Sequence, residues 1–105
     1  MDDFKKLFRR DAMDTSIAAA ATIYPDLRRL QLEVLAFAKH RPNGFTDEQM
    51  NEFFDTHRST YRARRSELVD KGLIVDSGQR RAMTNGRNAT VWLCSEFMSP
   101  QMSLI

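Results

Sequence analysis

The sequence predicts an α+β chain in which helices come first and a β-hairpin comes last. Apolar residues recur at helical spacing from Leu27 to Ala38, and again at Met50, Phe53 and Phe54. Two β-branched runs follow, Leu73-Ile74-Val75 and Ala89-Thr90-Val91-Trp92-Leu93. Between these runs lies Ser77 to Asn88, polar and rich in turn residues, which reads as one long basic loop.

With 105 residues, 42% of them hydrophobic, the chain has room for a single modest core. Its one cysteine, Cys94, has no partner for an internal disulfide, which fits a reducing compartment. No apolar run approaches the roughly 18 residues of a membrane span, and MDDFKKLFRR lacks the apolar centre of a signal peptide. The expected location is therefore cytoplasmic. Charge is unevenly placed: residues 57–88 hold eight Lys/Arg against three acids, a local +5, whereas the remainder sits at −3. Such asymmetry suggests one face made for a polyanion.

Element by element, Phe4, Leu7 and Phe8 stand at helical spacing within FKKLFRR and predict a short amphipathic helix over residues 1–13. Asp14, Thr15 or Ser16 then caps a second short helix from Ser16 to Ile23, built on the alanine run and stopped at Tyr24-Pro25. From Asp26 a broad apolar stripe runs to the breaker His40-Arg41-Pro42-Asn43-Gly44 and forms the first core helix. Thr46 is the N-cap of the next helix, with Asp47 and Glu48 in its favourable first turn. A third core helix extends to Lys71, where Gly72 supplies the left-handed cap. The expected organisation is an N-terminal helical arm over 1–24, a domain over 25–95 and a loose tail over 96–105, including SPQMSLI.

Three core helices, a short link between the second and third, and a hairpin with a basic tip spell a winged helix-turn-helix with an N-terminal helical extension. In that architecture the third helix enters the major groove of DNA and the hairpin, or wing, reaches flanking backbone. The chain also resembles a group of small winged-helix proteins of phages and prophages. The residues that carry the resemblance are Asp14-Thr15-Ser16, Thr46, Arg62, Arg64-Arg65-Ser66-Glu67-Leu68, Gly72-Leu73, Asp76-Ser77-Gly78, Arg81, Thr84, Gly86-Arg87 and Val91-Trp92. They span roughly residues 14–93. The resemblance implies the fold more specifically than the role, because the module serves in repressors, replication proteins and protein-binding adaptors.

A helical wheel divides the arginines of Thr56 to Leu68. With Tyr61 and Leu68 facing the core, Ser59, Arg62, Ala63 and Ser66 point away, and Arg64 and Arg65 flank the core stripe. Arg62 is the candidate for a base edge, since a guanidinium can bond guanine O6 and N7 together. The DNA-binding candidates are His57, Arg58, Ser59, Thr60, Arg62, Ala63 and Ser66 around the third helix, and Arg80, Arg81, Arg87 and Asn88 on the wing. Gln79 and Asn85 belong to the same wing. Arg65 stands where related winged helices often carry Ile or Leu, so its head group needs an acid; Glu48 or Glu52 is the expected partner. Arg64 either braces the hairpin or meets a phosphate. Trp92, on an alternating strand, is read as core in preference to a base-stacking platform.

No Gly-rich phosphate loop, nucleophile–base pair, convergent carboxylates or metal-like spacing stands out, so no enzyme activity, cofactor, metal or small-molecule substrate is expected. His40 stands alone at the end of the first core helix. The leading expectation is sequence-specific binding of double-stranded DNA for transcriptional regulation in a phage or prophage. Alternatives are a winged helix that inhibits or recruits a host protein, and a replication or recombination accessory factor. A homodimer through the N-terminal segment is open, and no membrane partner is expected.

Overall fold

The computed structural model describes residues 2–56 and 59–98, with side chains from Met13 onward. His57, Arg58 and the tail SPQMSLI lie outside the described residues, as do the side chains of Phe4, Leu7 and Phe8. Among the described residues, four helices, α1 (Asp2–Ile23), α2 (Arg29–Lys39), α3 (Asp47–Phe53) and α4 (Thr60–Asp70), precede an antiparallel hairpin of β1 (Ile74–Ala82) and β2 (Asn88–Cys94). The α+β order read from the sequence is the order observed. None of the described helices is long and apolar enough to cross a membrane.

Three elements differ from the sequence reading. First, α1 is one continuous helix where two short ones were expected. Extending a formed helix costs far less than nucleating a new one, and nothing between Ala12 and Ala18 breaks it. Ser16 does not cap; its hydroxyl instead lies 2.6 Å from His40 Nε2 and links α1 to the end of α2. Second, α2 begins at Arg29 and not at Asp26. Pro25 and Asp26 form a turn closed by Leu27 N–H donating to the Tyr24 carbonyl at 3.1 Å. Third, the hairpin is longer and its loop shorter than expected, because β1 runs through Ser77 to Ala82 and leaves residues 83–87 as the tip.

The extended β1 survives its polar composition because its ladder resumes after an irregularity. Asp76 pairs with Trp92 and Arg80 with Thr90, so Ser77, Gly78 and Gln79 stand opposite Val91 alone. Gly78 takes φ +86° there, and Asp76 Oδ1 accepts its N–H at 2.9 Å. On the other side of β2, Phe45 and Trp92 exchange two backbone hydrogen bonds, 2.9 and 2.7 Å, as an isolated bridge. Backbone at the α2–α3 loop thus lies beside the hairpin as a rudimentary third strand.

Local signals position the helices. Thr46 Oγ1 accepts Gln49 N–H at 3.2 Å while Gln49 Oε1 accepts Thr46 N–H at 3.0 Å, a reciprocal capping box that starts α3. At the far end of α4, Gly72 N–H donates to Val69 O and Leu73 N–H to Leu68 O, at 2.9 and 3.0 Å, with Gly72 at φ +79°. This Schellman arrangement turns the chain into β1. The core joins Ile17 and Ala20 of α1 to Val34, Leu35 and Phe37 of α2, Phe45, Met50, Leu68 and Ile74. Each such large side chain contributes about 1.5–3 kcal/mol of burial. Phe37 meets Phe45 edge-on with ring centroids 5.1 Å apart, fixing the bridge strand against α2.

Candidate functional site

Helix α4 divides as the wheel of the sequence predicts. Leu68 is fully buried, Tyr61 and Val69 pack against the core, and Ser59, Thr60, Arg62, Ala63 and Ser66 are exposed. Tyr61 stacks on Phe54 with centroids 4.0 Å apart and planes 2° from parallel. Its hydroxyl donates to Glu33 Oε1 at 3.4 Å. Burial, with the neighbouring Glu33 carboxylate, raises its pKa. This anchor sets the rotation of α4 and with it the outward row of Ser59, Arg62, Ala63 and Ser66.

The two arginines beside the core are structural. Arg65 is 11% exposed in its side chain and grips Asp47, with Nε–Oδ1 2.9 Å and Nη2–Oδ2 2.7 Å. Its guanidinium also lies 4.0 Å from the centre of the Trp92 ring. The partner is therefore the first residue of α3, not Glu48 or Glu52 as expected. Asp47 combines two functions there, since a carboxylate in the first turn also favours the helix dipole. Trp92 is half-buried and has Arg65 on its ring, so it serves the α3–α4–β2 junction. Arg64 pairs with Glu67, Nε–Oε1 2.8 Å and Nη2–Oε2 2.9 Å. Glu67 Oε1 also accepts from buried Gln31 Nε2 at 3.0 Å, so Arg64 belongs to a brace toward α2 and not toward the hairpin.

The hairpin tip is tied down beside α4. Thr84 donates through its N–H and hydroxyl to the Glu48 carboxylate at 3.3 and 2.9 Å. Between α3, α4 and the tip runs a groove of about 530 Å³ lined by Arg62 together with Glu48, Asn51, Glu52, Asp55, Met83 and Thr84. Among the described residues the Arg62 side chain has no hydrogen-bond or ion-pair partner. Asp55 closes the α3–α4 turn in the left-handed region at φ +54°.

Wing residues fall into three groups. Arg87 and Asn88 are exposed near the tip, with Asn85 Oδ1 accepting the Arg87 backbone N–H at 3.0 Å. Arg80 is exposed but held by Asp76, Nη1–Oδ1 3.1 Å. The Asp76 carboxyl lies below its usual range because Gly78 N–H, and then Arg80, stabilise the anion. Arg81 turns toward the α2–α3 loop, where Nη1 donates to Gln49 Oε1 at 2.7 Å and Nη2 to the Asn43 carbonyl at 3.3 Å.

Much of the local +5 is thus engaged inside the molecule, through Arg64, Arg65 and Arg80. Arg62, Lys71 and Arg87 remain as outward cations, with His57 and Arg58 beyond the described residues. Comparison with protein-family models, curated proteins and solved structures finds no match to this chain. Two structural roles are not announced by the sequence: that of Asp47, whose helix-start signature already accounts for its presence, and that of Arg41, which lies over Phe37 at 4.6 Å. An arginine shortly after an aromatic helix face was the only available signal for the latter.

Proposed function

We propose that the chain is a winged helix-turn-helix protein that binds double-stranded DNA sequence-specifically through α4 and the hairpin, as a transcriptional regulator in a phage or prophage. The observation that carries this reading is the exposed row Ser59, Arg62, Ala63 and Ser66, presented beside a hairpin whose tip is anchored to α3 through Glu48 and Thr84. The order of elements supports the same reading, with the Phe45–Trp92 bridge in the place of the short first strand of a winged-helix sheet. Arg62 is the base-reading candidate and Ala63 lets the helix approach closely. Ser59, Thr60 and Ser66 offer small hydroxyls, and Arg87 and Asn88 meet backbone from the wing. The resemblance to phage and prophage winged-helix proteins supplies the biological setting.

Selection of bound duplexes from a random pool tests this directly. Enrichment of a defined motif supports it, and an unenriched pool with no retained duplex overturns it.

A second reading has its own observation. Glu48, Glu52 and Asp55 surround Arg62 in the groove, and carboxylates disfavour a phosphate backbone while welcoming a cationic protein segment. A host protein held there would survive nuclease treatment in a pull-down from bacterial lysate, whereas partners bridged by DNA would be lost.

A further inference from the structure

We propose that α1 is a self-association element, which pairs antiparallel with the α1 of a second copy of this chain. Residues 15–24, Thr-Ser-Ile-Ala-Ala-Ala-Ala-Thr-Ile-Tyr, contain no charge. One side of this stretch faces inward: Ile17 and Ala20 are buried, and Met13, Ala21 and Tyr24 pack against the core. The other side, Thr15, Ala18, Ala19 and Thr22, is exposed, and Ile23 beside it is 61% exposed. A helix on the surface of a domain ordinarily places charged and polar residues outward, where water remains in contact with them. Here the outward side is as uncharged as the inward one, and it is fitted to a second surface.

The continuity of α1 over Asp2–Ile23 extends that outward side along the whole helix. Positions 4, 8, 11, 15, 18 and 22 fall in one line, separated alternately by four and three residues, with 7 and 19 beside it. The line carries Phe4, Leu7 and Phe8 in its first half, Ala18, Ala19 and Thr22 in its second, and Asp11 and Thr15 between. At about 100° per residue it lies roughly 160° around the helix from the side that holds Ile17 and Ala20. The domain that grips α1 by Ile17 and Ala20 therefore cannot also cover this line. From position 4 to position 22 it runs about 27 Å, at 1.5 Å per residue. The other described α-helices have 11, 7 and 11 residues, so among them only another α1 matches its length.

The order of sizes along the line fixes the direction of pairing. Its positions are symmetric about residue 13, so an antiparallel pair sets Phe4 opposite Thr22 of the second copy, Leu7 opposite Ala19, Phe8 opposite Ala18 and Asp11 opposite Thr15. Every bulky residue then faces a small one, which is the condition for close packing between helices. A parallel pair would set Phe4 on Phe4 and Phe8 on Phe8 at one end, leave Ala18 against Ala18 at the other, and press two Asp11 carboxylates together. Shape and charge thus favour the same arrangement.

Sedimentation equilibrium of the full chain, from about 5 μM to about 0.5 mM, reads the association directly. The expected species is a dimer of twice the 12.2 kDa chain mass. Its dissociation constant should rise at least tenfold in Ala18→Glu and in Thr22→Glu and stay unchanged in Lys71→Glu. Ala18 and Thr22 are exposed, so both variants should keep the helical circular dichroism of the wild type. Direction is read by a spin label on Thr22→Cys in a Cys94→Ala background. Antiparallel pairing separates the two labelled positions by about 27 Å along the helix axis, whereas parallel pairing holds them about one interhelix distance, roughly 10 Å, apart. A monomer at every concentration, a dimer indifferent to both Glu variants, or labels at the parallel distance overturns the proposal. Vesicles of phosphatidylglycerol and phosphatidylcholine form a last arm: a chain that stays monomeric and binds them would assign this face to lipid and overturn it as well. None of these readings involves DNA, so their failure leaves the proposed DNA binding standing.

Discussion

Arg65 holds Asp47 through two parallel hydrogen bonds, 2.9 and 2.7 Å, and so locks the start of α3 to the middle of α4. With its guanidinium over Trp92, one side chain joins both helices and β2. Breaking so desolvated a pair leaves an uncompensated charge, and the partial exposure of Asp47 moderates the loss. Arg65→Ala or Asp47→Ala should each cost about 2 kcal/mol in denaturant unfolding, while Arg65→Ile with Asp47→Ala should recover part of that. Fully additive losses would show that the pair is not coupled.

A neighbouring brace makes a related prediction. Gln31 is buried, and its amide donates to Glu67, which also receives Arg64. Glu67→Ala strands that donor and should destabilise by about 1–2 kcal/mol, more than Arg64→Ala, which leaves the Gln31 bond intact. Equilibrium unfolding of the two variants gives the comparison.

Gly44 packs where the α2–α3 loop crosses β2. Its φ is +88°, and a Cβ there would collide with Val91 Cγ1 and sit 2.9 Å from the Trp92 carbonyl oxygen. Left-handed strain of about 1–2 kcal/mol adds to the overlap. Gly44→Ala should therefore lose more than about 2 kcal/mol of stability, read as a fall in Tm. Gly86 also has positive φ but open space around it, so Gly86→Ala should cost only the strain.

Cys94 gives a pH signature. Burial, reinforced by Glu96, pushes its thiol from 9.0 up to about 12. Between those values the folded state holds the proton that the unfolded state releases, so stability falls as pH rises, by no more than roughly 1.4 kcal/mol per pH unit. Stability of the wild type should drop more steeply than that of Cys94→Ala from about pH 9 upward. Equal slopes, or rapid labelling of the native thiol by a disulfide reagent at pH 8, would contradict the buried, protonated state.

How much of this was legible in the sequence follows from the physics of each element. The face of α4 could be read because a 3.6-residue period fixes which residues share a side once Tyr61 and Leu68 are placed inward. That Arg65 needs an acid on α3 was equally legible, but whether Asp47, Glu48 or Glu52 reaches it depends on the crossing of two helices, which spacing does not encode. Glu48 is instead taken by Thr84, a contact between segments 36 residues apart. The second half of β1 reads as loop because Ser77 to Arg81 is polar; it stays extended because β2 supplies its ladder across an irregularity that no local signal announces. Continuity of α1 was missed for the opposite reason: Asp14, Thr15 and Ser16 are good caps, yet a helix already running passes through them.

On the proposed DNA-binding reading, the Arg62 row and the Arg87 tip would make two different kinds of contact. On a selected duplex, Arg62→Ala should erode discrimination between the preferred site and single-base variants by about 1–3 kcal/mol, whereas Arg87→Ala should weaken all sequences alike. Competition binding with a panel of substituted duplexes distinguishes these patterns.

The salt dependence of duplex binding is the decisive measurement for the proposed DNA binding, because Arg64, Arg65 and Arg80 are paired internally and few cations are left for phosphates. Each phosphate neutralised contributes about 0.9 to the slope of log K against log salt. The expected slope lies between about −2 and −4 per protomer and becomes shallower by roughly one unit in Arg87→Ala. A slope near zero, or no duplex affinity even at low salt, would contradict it.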